Sequence, residues 1–306
     1  MPRVLVVGSA NVDFTVSLAR LPRPGETVSG GTLLVNRGGK GANQAIAARR
    51  LGAEVRLIAC LGDDEPGRDV RAALQREGVG VAGVSVGTAA TGTALIVVDA
   101  EGRNQIAVAP GANRELSVER VAARRDDLAW AEVVVYQLET PLDAVAWVLA
   151  EARLRGVITL LNPAPVPERP LTVWPLVDFL TPNIGEAERL SGVPVPDPGA
   201  AAKAGQALRA RGVGTVIVTL GEHGSVACGP GGTLLAPAYR VTPVDTTAAG
   251  DAFNGALALA LAERRPLPPA LRFANAAAAL ACTRRGAQPS LPTREEVETF
   301  LNKHTR

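Results

Sequence analysis

Cysteine, histidine and aromatic side chains are scarce in this chain of 306 residues, and each scarcity removes a class of function. The three cysteines (Cys60, Cys228, Cys282) stand far apart in apolar runs, and no CxxC pair exists. With the two histidines (His223, His304) they offer no spacing suited to zinc, so they read as buried, reduced thiols of a cytosolic protein. Aromatics reach only 3% and the arginines are scattered, so no basic stripe with stacking rings is on offer to nucleic acid. Gly, Asn, Asp or Arg interrupts every apolar run before membrane-spanning length. The opening MPRVLVVGS enters a strand pattern without the apolar core of a signal peptide. A soluble, cytoplasmic protein with neither membrane nor nucleic-acid partner is expected. The usual nucleotide loops are lacking too. In "NRGGKGANQ" (36–44) Gly41 follows Lys40 where a P-loop has Ser or Thr, and "GVGVAG" (78–83) follows a helix rather than a strand. The second reads as a helix stop and a turn.

What is present is ordinary globular material, 47% hydrophobic and 20% charged with a net charge of +2. A chain of this size buries about three quarters of its unfolded surface. Short β-branched runs at 4–7, 55–60, 133–136, 157–161, 177–180 and 216–220 alternate with helical patterns at 40–51, 67–77, 142–155, 185–190, 200–211, 250–263 and 268–284. That alternation predicts an α/β fold with a mostly parallel sheet covered by helices on both faces. Strand pairs at 14–18 with 27–35, and 93–98 with 104–108, break the rhythm and predict a small antiparallel β lid inserted in one domain spanning 1–306. The Pro-rich stretch 162–170 reads as a loop.

Open α/β sheets bind ligands beyond the carboxyl ends of their strands, so the residues that follow the strands matter most. After the first strand, "GSANVD" places Asn11 and Asp13 on one side of an extended chain. A carboxylate there can accept both hydroxyls of a vicinal diol, or cap the strand as an Asx turn. In "GGKGANQ" Gly38 and Gly39 permit close backbone approach to a ligand, while Lys40 and Asn43 share a face of the first helical turn. Lys40 opposes the helix dipole and needs an anionic or hydroxyl-rich partner, or is a surface lysine. Glu139 is an acid at another strand end. "TPNIGEAE" sets Asn183 and Glu186 in capping-box register, which either caps the helix or positions a metal-bound phosphate. "TLGEHG" (219–224) fits phosphate contact or a hairpin turn equally well.

"VDTTAAGDAF" (244–253) is the most pointed stretch. Ala248, Ala249 and Gly250 leave the N-terminal amides of an apolar helix unobstructed, which makes an anion hole. Asp251 beside it either starts the helix or accepts a proton from a hydroxyl that attacks phosphorus. The helix dipole alone keeps Asp251 ionised and weakens it as a base, an objection softened because loose phosphoryl transfer deprotonates the nucleophile late.

Together "GSANVD", "GGKGANQA", "GDDEPG" (62–67), "QLE" (137–139), "TPNIGEAE", "VDTTAAGDAFNGAL" and "RRGAQPS" (284–290) resemble the PfkB-type sugar kinases over nearly the whole chain. Lys40 and Gln44 narrow the resemblance to the ribokinase and deoxyribokinase branch. The resemblance implies a ribokinase-like fold and ATP-dependent phosphorylation of D-ribose at O5, with Mg²⁺ and K⁺. Asp251 would be the catalytic base and the amides of Ala248 to Asp251 would hold the phosphate. Asn11, Asp13, Gly39, Lys40, Asn43 and Glu139 would bind sugar. Asn183, Thr219, Leu220, Gly221, Glu222, His223, Gly224 and Asn275 would contact ATP, with Glu186 on magnesium through water. Asp245, Thr247, Ala281, Arg284, Gly286 and Ser290 would hold potassium, and the lid would pair two chains as a homodimer. A 2-deoxyribose or nucleoside kinase remains an alternative. So, more remotely, does a non-catalytic sugar sensor, which would be expected to lose Asp251 or Gly250. The "GDDE" run reads as a strand-to-helix turn.

Overall fold

The computed structural model describes residues 1–304. Strand Arg3–Val7 (β1) is followed by Asn11–Ser17 (β2), Thr32–Gly38 (β3) and helix Lys40–Arg50 (α1). Glu54–Gly62 (β4), helix Glu65–Arg76 (α2) and Gly80–Gly87 (β5) come next, then Gly92–Val98 (β6) and Asn104–Ala109 (β7). Short helices Val118–Ala122 (α3) and Arg125–Trp130 (α4) lead to Val133–Tyr136 (β8), helix Leu142–Leu154 (α5), Ile158–Leu161 (β9) and Phe179–Leu180 (β10). Helices Ile184–Ser191 (α6) and Pro198–Arg209 (α7) precede strands Thr215–Thr219 (β11), Ser225–Gly229 (β12) and Gly232–Ala236 (β13). Helices Ala249–Ala262 (α8), Leu267–Ala281 (α9) and Arg294–Lys303 (α10) follow.

Nine strands form one sheet in the order β13-β12-β11-β10-β9-β8-β1-β4-β5. Its pairs are parallel except those joining β11, β12 and β13. Successive residues of a strand face opposite sides, and β1 obeys this: Val4 and Val6 enter one core while Leu5 and Val7 enter the other. Both faces are therefore covered, which explains the unbroken apolar run. All the parallel strands end at the same edge, so the segments after β1, β8, β9, β10 and β11 converge there.

The lid is the second sheet, ordered β3-β2-β6-β7. Two antiparallel hairpins, β2–β3 and β6–β7, join through a parallel pairing of β2 with β6. Pairing starts at Asn11 opposite Gly38, so Asn11 and Asp13 belong to the root of the lid rather than to a loop. The turn expected at 78–83 is shorter than that. Gly78 stops α2 with φ 78, and the chain then enters β5 at Gly80 as an edge strand on β4. Asp64 confirms a structural turn: it caps α2 at Gly67 N (2.8 Å) and also accepts from Thr91 N (2.7 Å).

Helix α8 is buried from Asp251 to Ala262, as expected of a helix apolar on every side. Small residues bring it close to α1. A Cβ on Gly255 would lie 2.5 Å from Ala47 Cβ and 2.8 Å from Ala48 N, so only glycine fits. This contact places Asp251, one turn before Gly255, against Asn43 and Gln44 of α1.

Candidate active site

Asp251 is only 8% exposed, and its carboxylate takes two side-chain bonds from α1. Asn43 Nδ2 donates to Oδ2 at 2.9 Å and Gln44 Nε2 donates to Oδ1 at 2.9 Å. Burial pushes the Asp251 carboxyl above the usual carboxylate range. Lys40 and the two amides pull it down without cancelling that push, and Glu139 adds to it. The dipole argument thus points the wrong way for this residue, because desolvation outweighs the helix end; Asp251 is a stronger base than its position at a helix N-terminus suggests.

The helix start beside it leaves backbone donors open. Ala248 sits at the N-cap in a left-handed conformation (φ 61, ψ 11), unusual for a residue with a Cβ. Its neighbour Ala249 donates to Thr246 O at 3.3 Å. The amides of Gly250 and Asp251 have no partner among the described residues, and a Cβ added at Gly250 would meet no atom within 4 Å. Two open donors therefore face unobstructed space at the positive end of α8.

Across from this hole lie the residues after β1 and β8. Glu139 Oε2 accepts from Ser9 Oγ and from the Lys40 backbone at 3.2 Å, capping a helix whose own N-cap, Gly39, has no side chain to do so. Lys40 finds here the anionic partners its place in the first turn demands. Burial would lower its ammonium, but Asp251, Glu139, Glu186 and Asp13 hold it above its ordinary value. Asp13 is pushed up to about 6 by burial, then by Glu139 and Asp251, against the pull of Lys40. Asn11 Oδ1 accepts from Asn113 Nδ2 at 2.7 Å, and Asn113 Oδ1 holds Ala10 N at 3.0 Å, which fixes the strand end.

The glycines of this loop also have an intrachain reason. A Cβ on Gly38 would lie 2.1 Å from Asp13 Oδ2, and one on Gly39 (φ 88) would lie 2.7 Å from Ala10 Cα. They let the chain approach itself, with Asp13 lying over Gly38.

Asn183 and Glu186 form a complete capping box at α6, with Glu186 N to Asn183 Oδ1 and Asn183 N to Glu186 Oε2 both 2.9 Å. Thr219 bridges to Asn183, and Gly221 to His223 make a single 3-10 turn before Gly224 (φ 88) starts the return strand. The 219–224 segment is thus a tight hairpin, with Leu220 buried and Glu222 and His223 exposed on its tip. Asn275 is buried with its amide committed to Ala236 O (3.1 Å) and Pro237 O (3.2 Å), while its Oδ1 takes Ser225 Oγ at 3.3 Å. It braces the wall beside α9.

Asp245 ties two loops together. Its Oδ1 accepts from Thr247 N at 2.9 Å and its Oδ2 from Gly286 N at 2.8 Å. Burial opposes its ionisation, but these bonds outweigh it and hold the carboxyl low. Ser290 is fully buried and donates to Ala287 O at 2.8 Å, keeping its lone pairs. The Arg284 side chain pairs with Glu296, and its amide bonds Ala281 O at 3.3 Å. No group of three His, Cys, Asp or Glu that could hold a metal occurs among the described residues, and no helix there is long and apolar enough to cross a membrane.

A family model described as pfkB family carbohydrate kinase matches residues 1–294. The chain belongs to this family. Its pfkB relatives include the ribokinase of Haemophilus influenzae, 41% identical over 297 residues that cover 97% of both chains. A deoxyribokinase of Salmonella typhi is 34% identical over 301 residues, covering 98% of each. Among solved structures, the Arabidopsis thaliana ribokinase complexed with ribose and ATP superposes with a TM-score of 0.91 at 33% identity, covering 98% of each chain. The pfkB fold therefore accounts for both sheets.

Four residues of this polar cluster carry no local mark of their role in the sequence: Ser9, Gln44, Asn113 and Gln137. Ser9, Gln44 and Gln137 lie inside the motifs, but nothing local says that Ser9 meets Glu139 or that the two amides meet.

Proposed function

We propose that this chain transfers the γ-phosphate of ATP to O5 of D-ribose. The observation that carries the proposal is the facing pair: a buried, proton-seeking Asp251 beside two open helix amides, with Asp13, Asn11, Lys40, Asn43 and Glu139 gathered opposite. A ribose hydroxyl held between Asp251 and the amides is placed for attack in line with a phosphate seated on them, so positioning and fixed dipoles supply most of the catalysis. Asp251 takes the proton, and the open amides of Gly250 and Asp251 meet the developing phosphate charge; of the four amides expected there, that of Ala249 is already bonded to Thr246 O. Asn11, Asp13, Gly39, Lys40, Asn43 and Glu139 orient the sugar.

ATP is assigned to the cleft between Asn183, the turn Thr219 to Gly224 and the wall braced by Asn275. Gly221, Glu222 and His223 are exposed at its mouth, while buried Leu220 and Asn275 act there through the backbone. Glu186 fits a hydrated magnesium, since its Oε1 has no protein partner among the described residues. Magnesium would supply charge neutralisation on the phosphates.

The potassium reading rests on hard oxygen donors: Asp245, Ser290 and the carbonyls of Thr247, Ala281, Arg284 and Gly286. Arg284 contributes only its backbone. Asp245→Asn should abolish the rise in rate that potassium brings, measured with and without the salt at saturating ATP. A full potassium response in that variant contradicts the assignment.

We read residues 1–306 as one domain whose lid closes over the sugar and pairs with a second copy in the cytoplasm. Leu33, Val35, Leu95 and Ile106 are 63%, 51%, 56% and 57% exposed on the lid, more apolar surface than an isolated sheet usually presents.

The deoxyribokinase relative keeps 2-deoxyribose as the second reading. A sugar sensor is disfavoured because Asp251 and Gly250 are both in place. ADP release measured on ribose, 2-deoxyribose and nucleosides decides among them. Ribose is expected to give the highest kcat/KM; an inert ribose beside a good nucleoside substrate overturns the proposal.

A further inference from the structure

The two oxygens of Asp251 are held unequally. Gln44, which bonds Oδ1, is itself locked: its Oε1 accepts from Gln137 Nε2 at 2.8 Å, and its Nε2 also reaches Asn162 Oδ1 at 3.1 Å. Asn162 in turn donates to Thr181 O at 3.2 Å. Turning the Gln44 amide over would set its oxygen against a carboxylate and its nitrogen against the nitrogen of Gln137, so only one orientation is satisfied. Gln44 and Gln137 are both 0% exposed, where such mismatches are costly. Room for Gln137 comes from Gly8, whose Cβ would lie 1.9 Å from Gln137 Oε1. Asn43 makes a single side-chain bond, to Oδ2, where Gln44 makes three. Its own Oδ1 is buried with no hydrogen-bond partner among the described residues, as is Gln137 Oε1 at the far end of the amide chain.

We propose that Gln44, fixed by Gln137, is a positioning residue that locks Oδ1 of Asp251 and leaves Oδ2 as the oxygen that takes the substrate proton. Asn43 turns from Oδ2 toward the sugar, satisfying its orphaned oxygen with a hydroxyl. The hydroxyl proton then passes to Oδ2 while its oxygen bonds the γ-phosphorus, the bond from that phosphorus to ADP breaks, and ADP leaves with the electron pair. The inference rests on the reading of Asp251 as base. Lys40, Glu139 and Asp13 are the charged groups facing Asp251, and the test leaves them untouched.

Gln44→Leu and Gln137→Leu should be followed by single-turnover transfer at saturating ribose and ATP, across pH, with melting curves as a folding check. Losing a bond to a charged group predicts a rate about 10–100-fold lower in Gln44→Leu, with the acidic limb moved up by about one pH unit. The ribose KM should stay within about threefold, because the lost contact acts on the base and not on the sugar. Gln137 does not bond Asp251, so a loss of about 3–10-fold in Gln137→Leu at unchanged KM marks the same chain of amides. In a folded Gln44→Leu, an unchanged rate, an unmoved acidic limb or a KM rising as far as the rate falls overturns the proposal. If Gln44→Leu fails to fold, Gln137→Leu decides alone, and an unchanged rate there overturns it. Asp251→Asn measured alongside keeps the two readings apart. Normal turnover in that variant removes the base itself, whereas an inactive Asp251→Asn beside a normal Gln44→Leu removes only the positioning role.

Discussion

Asp251→Asn should lower kcat on ribose by about 10³- to 10⁴-fold, the upper range for loss of a general base. The amide keeps the shape of the carboxylate and one of its bonds to Asn43 or Gln44, so the site stays assembled. What disappears is a proton acceptor whose basicity burial has raised. The open amides of Gly250 and Asp251 remain, and with them the residual rate that positioning and the anion hole provide. The KM for ATP should hardly change, since nothing in the nucleotide cleft is altered. Pre-steady-state transfer together with ATP binding separates the two effects. A variant that turns over near the parent rate takes the base role from Asp251.

The second large effect is on sugar binding. Asp13→Asn should raise the ribose KM by about 100-fold, as two hydrogen bonds to a charged acceptor weaken at about 1.5 kcal/mol or more each. The same loss should appear in the parent protein as pH falls. With its pKa pushed up to about 6, Asp13 gains a proton through that region, and KM should climb about tenfold per unit below it. Stability moves the opposite way. A carboxyl raised from 3.8 to about 6 contributes stability in its neutral form, present below 3.8 and lost as pH rises through about 6. At pH 7.5 the ionised Asp13 costs about 1–2 kcal/mol once screening of a half-buried group is allowed for. Asp13→Asn should therefore melt higher than the parent protein when no sugar is added. A KM unchanged by both the substitution and acid would show that Asp13 does not meet the sugar.

Much of this site could be read from sequence because strand ends and helix starts carry local marks. Apolar β-branched runs fixed the parallel sheet, and the residues just beyond them, Asn11, Glu139 and Asn183, lie on one edge as expected. The small run before Asp251 announced an unobstructed helix end. The remainder depends on contacts between residues distant in the chain. Gln44 meets Asp251 across 207 positions and Gln137 meets Gln44 across 93, and no periodicity records such a pairing. The rise of the Asp251 pKa follows from burial by α1, visible only once Gly255 is seen to let the two helices touch. Gly38 and Gly39 read as room for a ligand, and the room they also make for Asp13 and Ala10 is not marked in the sequence. The resemblance names Asn275 as an ATP contact, but its own partners, the carbonyls of Ala236 and Pro237 at the end of β13, are not marked in the sequence. The strand β5 was hidden because Gly78, Gly80 and Gly83 suggest a turn, while parallel pairing with β4 overrides that preference.

Phosphorus NMR of the product formed from ribose and ATP tests the central claim most directly. Transfer to O5 places the phosphate on a carbon bearing two hydrogens, so the proton-coupled signal of the new monoester should be a triplet, appearing as ATP becomes ADP and absent with Asp251→Asn. A doublet from a phosphate on a ring carbon, or the triplet persisting at full rate in Asp251→Asn, would contradict the account.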